Sequence, residues 1–102
     1  MYNIRYKTKH LQRCYEDAAY SQRKLGKKLA RQYVKRINVL KAIDSLGDLR
    51  NYQSLRFHPL TGRLKGKYAI DLDERKRLWF TEVGDEVSVL RIEKIDKDHY
   101  GH

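Results

Sequence analysis

The sequence predicts an α+β fold of order β-α-α-β-β-β, with two helices packed on one face of a mainly antiparallel sheet. Three observations predict it. At both ends of the chain apolar residues alternate with polar ones, the two-residue period of a half-buried strand. Between Leu11 and Gly47 the apolar period lengthens to three or four, as on a helix face. The chain has 102 residues, enough for one modest core, so residues 1–102 are expected to form a single domain.

The elements follow in order. Tyr2, Ile4 and Tyr6 alternate with Asn3, Arg5 and Lys7, a strand with one face buried. Leu11, Cys14, Tyr15, Ala18 and Leu25 share a helix face that Gly26 ends. Leu25, Leu29, Tyr33, Ile37, Leu40 and Ile43 continue as a second helix stopped by Gly47. Leu55 and Phe57 then alternate with Arg56 and His58 until Pro59. Tyr68, Ile70 and Leu72 alternate with Lys67, Ala69 and Asp71. A turn over residues 73–76 leads to Leu78 and Phe80, which alternate with Arg77 and Trp79. Gly84-Asp85 signals a hairpin. Residues 87–95 are apolar on both sides until Arg91, as in a central strand. Two adjacent helices can cover only one face of such a sheet.

Charge narrows the function. Twenty-three Lys and Arg against thirteen Asp and Glu leave a formal charge of +10. That balance favours a polyanionic partner over a neutral one. The lone cysteine, Cys14, excludes a disulfide framework and sits on an apolar helix stripe, where a buried structural thiol is expected. No metal-ligand spacing is present, so neither a metal nor another cofactor is expected. No signal peptide, membrane-spanning run or lipidation motif is visible, which makes a reducing cytoplasm the default and a membrane partner unexpected.

Strand alternation distributes these charges. If the helices cover the face carrying Ile4, Phe57, Tyr68, Ile70, Leu78 and Phe80, the open face carries Arg5, Lys7, Arg56, His58, Lys67, Asp71, Arg77, Trp79 and Arg91. A one-residue slip of register would turn a strand over. A second basic surface lies between Arg23 and Lys41, where eight Lys and Arg occur and no acid falls between Asp17 and Asp44. Such a run is either a solvated helix face or a phosphate-contacting one. Trp79 reads as a packing or interface anchor, or as a platform for a base.

The stretch FHPLTGRLKGKYAIDLDERKRLWF, residues 57–80, resembles the centre of the HigB toxins, a branch of the RelE superfamily of bacterial toxin–antitoxin systems. The resemblance rests on His58-Pro59-Leu60-Thr61-Gly62, then Gly66, Tyr68-Ala69-Ile70 and Arg77-Leu78, with Asp98-His99-Tyr100 near the end of the chain. In the N-terminal half it rests on length and on the strand–helix–helix order. The chain departs from the family at Thr61 and Asp73, where basic residues are frequent; Lys65 or Arg75 can substitute in space.

The resemblance implies a ribosome-dependent mRNA endoribonuclease of RelE-like fold. It implies inhibition by a HigA-like helix-turn-helix antitoxin, through which operator DNA is contacted indirectly. Metal-free RNA cleavage uses the ribose 2′-hydroxyl as nucleophile. It needs alignment, proton removal, stabilisation of phosphate charge and protonation of the leaving oxygen. Arg77 is the candidate for the phosphate, because a guanidinium grips two oxygens at once. His58 is the candidate acid or base, since histidine titrates near neutral pH; its alternative role is to brace the Pro59 turn. His99 and Tyr100 match the family's closing pair in swapped order, as a second proton carrier and a stacking ring. Arg56, Arg63, Lys65, Lys67 and Arg75 are the candidate RNA-backbone contacts. Two other functions stay open: a same-fold toxin that poisons DNA gyrase, and a basic module that binds nucleic acid without cutting it. The nuclease expectation requires His58 and Arg77 to leave the open face close enough to share one phosphodiester.

Overall fold

Thr8 opens the helical half. In the computed structural model, which describes residues 1–97, its hydroxyl accepts from the backbone N–H of Leu11 at 3.1 Å and caps α1, Lys9–Glu16. Strand β1, Asn3–Tyr6, precedes it. The helix expected to reach Gly26 is interrupted at Asp17, whose backbone is extended and whose carboxylate accepts from the N–H of Tyr20 at 3.0 Å. A second helix, α2, Ala18–Leu25, starts there. A short acidic side chain bonds the backbone as readily outside a helix as inside one, so it favours this break. Gly26, at a φ of 84°, ends α2 and opens α3, Lys27–Ala42. The left-handed region is open to glycine at little cost. Helix α3 stops before Gly47, because Ser45 and Asp48 form a reciprocal capping box that starts a separate 3₁₀ turn, Leu46–Asn51.

Four further strands complete the sheet: β2, His58–Pro59; β3, Lys67–Asp71; β4, Arg77–Glu82; and β5, Val89–Asp96. Their order is β1-β5-β4-β3-β2, with β1 parallel to β5 and the other pairs antiparallel. The apolar run at 87–95 is thus an inner strand, as its composition predicts. The run at 55–58 differs. Leu55 lies in the 3₁₀ turn Gln53–Leu55, and Arg56 is left-handed at φ 46°, ψ 54°. Pro59 pairs with Tyr68 as the last residue of β2. An edge strand tolerates proline because the missing N–H would face away from the sheet.

The helices cover one face. Tyr33, Ile37 and Leu40 of α3 join Leu11 and Cys14 of α1 against Ile70, Leu78, Phe80, Leu90 and Ile92. The buried Tyr33 hydroxyl donates to the carbonyl of Leu11 at 2.7 Å, tying α3 to α1. The pairing of β4 with β5 shifts between Trp79 and Phe80, which face Lys94 and Ile92 and skip Glu93. This bulge resets the alternation, so Ile92 and Ile95 both lie on the core side although they are three apart. Among the described residues no helix is long and apolar enough to cross a membrane.

Candidate functional site

Residues directly opposite each other in a sheet share a face. One row across the open face is therefore His58, Ala69, Trp79 and Lys94, and the next is Asp71, Arg77 and Asp96. Ala69 is fully buried. Its methyl is the only side chain between His58 and Trp79 in that row, and a methyl is low enough for longer side chains to meet above it. They do: Arg77 Nη1 lies 2.9 Å from His58 Nε2. His58 Nδ1 lies 3.0 Å from the carbonyl oxygen of Arg56. A carbonyl only accepts, so Nδ1 carries the hydrogen; a guanidinium only donates, so Nε2 presents a lone pair. Nε2 is thereby turned toward a permanent cation.

Asp71 organises the cations around this pair. Its Oδ2 accepts from Arg56 Nε at 2.7 Å, and its Oδ1 lies 3.3 Å from Arg77 Nε. Its backbone carbonyl accepts from Arg36 Nε at 2.9 Å. Arg36 comes from α3, the other two from the sheet side. Burial pulls the Arg36 guanidinium below the usual arginine range, and the charge of Asp71 opposes that pull. Arg77 Nε and Asp71 Oδ1 are buried and close, yet no aligned hydrogen bond joins them. Two guanidinium groups thus meet the Asp71 carboxylate and a third meets its backbone carbonyl. A cleft of about 380 Å³ opens beside them, bounded by Arg36, Arg56, Asp71 and Glu74.

The other end of the open face is arranged differently. Glu93, the bulge residue, has only 3% of its side chain exposed. It receives Lys67 Nζ at 2.8 Å and Arg91 Nε at 2.6 Å, with Lys7 Nζ at 3.7 Å. Burial pushes its carboxyl up, but the hydrogen bonds and charges of Lys67 and Arg91 together hold it below the usual carboxylate range. Lys67 is thereby tied to an internal partner. Lys94 Nζ stands over the Trp79 ring at 4.9 Å from its centre, so this ring is on the open face, as alternation requires.

The remaining predicted residues are spread around the rim. Arg63 and Lys65 are exposed, on and just after the 3₁₀ turn Gly62–Leu64 that joins β2 to β3. Arg75 is exposed on the β3–β4 turn, where its backbone N–H donates to Asp73 Oδ1 at 2.8 Å. It borders a cleft shared with Lys28 rather than the one beside Asp71. His99 and Tyr100 lie outside the described residues. The structure therefore brings together His58, Arg77 and Arg56 and keeps Lys67, Arg63 and Lys65 apart from them. Sequence reasoning missed the Asp71 hub, the Ala69 floor and the Glu93 counter-ion. The Asp71–Arg77 pairing was within reach, since the two flank a hairpin turn. Arg36 was not, because its helix meets the sheet only in the fold. Among the described residues no three His, Cys, Asp or Glu side chains gather as a metal site requires.

The family description "RelE-like toxin of type II toxin-antitoxin system HigB" matches residues 4–94. The chain belongs to this family of HigB-like toxins. Solved structures agree with that placement. The YoeB of a YoeB–YefM complex from Staphylococcus aureus is 28% identical, at a TM-score of 0.58 over 98% of this chain and 99% of that one. YafQ from E. coli is 14% identical, at a TM-score of 0.58 over 95% and 93%. A YoeB/ParE toxin from Agrobacterium tumefaciens is 14% identical, at 0.54 over 98% and 100%. At those lower identities the likeness is one of fold. A comparison with curated proteins returns no significant match. This HigB-like toxin thus carries the α+β architecture its sequence predicts, with an interrupted first helix and an edge strand shortened to His58–Pro59.

Proposed function

We propose that this HigB-like toxin is a metal-independent endoribonuclease that cuts mRNA on the ribosome and so stops translation. The observation that carries the reading is the 2.9 Å approach of His58 Nε2 to Arg77 Nη1. Once a phosphate draws Arg77 away, the Nε2 lone pair of His58 is placed to take the proton of a ribose 2′-hydroxyl. The 2′-oxygen then bonds to phosphorus while the bond from phosphorus to the 5′-oxygen breaks, leaving a 2′,3′-cyclic phosphate and a 5′-hydroxyl. Arg77 meets the phosphate oxygens as their charge grows. His58 and Arg77 touch each other when no RNA is bound, so the phosphate enters by replacing that contact. His99 or Tyr100 supplies the proton to the leaving oxygen. Arg56, Arg63, Lys65, Lys67 and Arg75 contact the RNA backbone, with Arg56 nearest the reacting phosphate.

The partner is an acidic antitoxin of HigA-like, helix-turn-helix type, which joins the toxin to operator DNA. Family membership and the likeness to a toxin solved with its partner support this. The work is done in the cytoplasm, where ribosomes and mRNA are.

Expression of the unaltered chain is expected to arrest growth and to produce primer-extension stops within ribosome-bound messages. Both are expected to vanish in Arg77→Ala and His58→Ala, with far-ultraviolet circular dichroism unchanged. Stops that persist in both variants would remove the site. Growth arrest with DNA breaks and intact mRNA would make the chain a gyrase poison. Salt-sensitive RNA binding with neither toxicity nor cleavage would make it a binding module.

A further inference from the structure

The cleft beside Asp71 is walled by three separate elements: Arg36 of α3, Ser54 of the 3₁₀ turn Gln53–Leu55, and Asp73 and Glu74 of the β3–β4 turn. Its volume of about 380 Å³ falls within the roughly 300–1,000 Å³ of sites that take small ligands. Arg36 donates through Nε to the Asp71 carbonyl at 2.9 Å. That bond fixes the guanidinium, and its two Nη groups have no hydrogen-bond partner among the described residues. Asp73 is occupied, because its Oδ1 accepts from the N–H groups of Arg75 and Lys76 at 2.8 and 2.9 Å. Glu74 differs. It is exposed, and among the described residues its carboxylate makes no hydrogen bond or ion pair. The cleft therefore offers one fixed set of donors and one open carboxylate.

Arg56 joins this cleft to the reacting pair. It borders the cleft, its Nε is held by Asp71 Oδ2 at 2.7 Å, and Asp71 Oδ1 lies 3.3 Å from Arg77. Its backbone is left-handed, at a φ of 46°. Side-chain-bearing residues rarely adopt that conformation, and such strain gathers at functional sites. Arg36, Arg56 and Arg77 are thus all anchored on one residue, and a nucleotide whose phosphate rests on Arg56 carries its base beside the cleft. The open carboxylate of Glu74 repels a phosphate and suits a neutral base with N–H donors. Guanine alone carries two adjacent N–H donors, N1 and N2, that match both oxygens of one carboxylate. It also carries two acceptors, O6 and N7, that match the two Nη groups of a guanidinium. Adenine and cytosine offer one amino group and uracil one ring N–H, so each leaves part of the cleft unpaired.

We propose that the cleft between Arg36 and Glu74 is a guanine-binding subsite that selects the nucleotide beside the cut. Arg36 donates to O6 and N7 of the base, and Glu74 accepts from N1–H and N2–H. The inference rests on the reading of the chain as an RNA-cutting toxin. It makes both residues determinants of where a message is cut, whereas His58 and Arg77 carry the cut itself.

The test measures single-turnover cleavage of short messages bound to ribosomes, with each of the four bases placed in turn at the two positions flanking the cut. At one of them guanine is expected to be cut about tenfold or more faster than the other bases, the scale of one bidentate base contact. Inosine, which lacks the 2-amino donor, and 7-deazaguanine, which lacks the N7 acceptor, are each expected to lose most of that advantage with the unaltered chain. In Glu74→Ala the ratio of guanine to inosine is expected to fall to about one, and in Arg36→Lys the ratio of guanine to 7-deazaguanine to do the same. Because each is a ratio within one variant, effects of the ribosome or of folding on overall rate cancel. Equal rates for all four bases would overturn the proposal and leave the nuclease reading standing. So would a preference for another base, or a guanine preference that both variants retain. If no message is cut by the unaltered chain, the nuclease reading fails and this one with it.

Discussion

Arg77 of β4 reaches His58 of β2 across the intervening strand, Nη1 to Nε2 at 2.9 Å, above the buried methyl of Ala69. The contact depends on a small residue at the crossing point, and its chemistry depends on which imidazole nitrogen is left without hydrogen. Consequences follow for several residues outside the pair.

Ala69→Leu raises the floor of the site. The added branch stands between His58 and Trp79 and forces the imidazole away from Arg77. Overpacking of this kind costs about 1–3 kcal/mol, which urea unfolding measures. Cleavage of a ribosome-bound message is expected to fall about 100-fold, the scale of losing a placed general base. Retention of full activity would show that the distance between the two groups is not what sets the rate.

Asp71→Asn removes the shared counter-ion of Arg56 and Arg77 while keeping the size of the side chain. Arg77 is then oriented by His58 alone. The cleavage rate constant is expected to fall about tenfold with little change in KM, as expected for a lost orientation. In unfolding experiments Asp71→Asn and Arg77→Ala are expected to be non-additive, with a coupling of about 0.5–3 kcal/mol. Strict additivity would show that the 3.3 Å approach between them does no work.

Glu93→Gln unpairs Lys67 and Arg91 from a buried acceptor and is expected to cost about 2 kcal/mol at neutral pH. The sign with pH follows from the folded carboxyl being held below its usual range. Its contribution is complete above the ordinary carboxylate value and is lost as pH falls through the folded value. The gap in stability between the unaltered chain and the variant should stay constant above about pH 5 and close on further acidification. Thermal unfolding across that range measures it, and a gap that widens at low pH would contradict the assignment.

Asp17→Ala tests the break between α1 and α2. The carboxylate caps Tyr20 N–H at 3.0 Å and lies 3.8 Å from Arg13. Its loss should cost about 1 kcal/mol and lower the melting temperature, while cleavage is unchanged. An unchanged melting temperature would show that the Asp17 cap adds nothing to the fold.

The class of fold, the inner position of β5, the buried thiol of Cys14 and the separation of an apolar from a charged sheet face were all determined by the sequence alone. They follow from periodicity, because a side chain's direction in a regular strand or helix depends only on its position in the repeat. Residues 57–80 also carried the family, since its glycines, His58 and Arg77 keep a local spacing. The tertiary structure decided everything that joins distant segments. It decided that Arg36 reaches Asp71 from a helix, that Glu93 leaves the alternation at a bulge and gathers three cations, and that Lys67 belongs to Glu93 rather than to the pair at His58. The physical reason is that electrostatic partnership falls off with distance in space, not with distance along the chain. Pattern shows which face a charge occupies, and only packing shows which opposite charge it meets there.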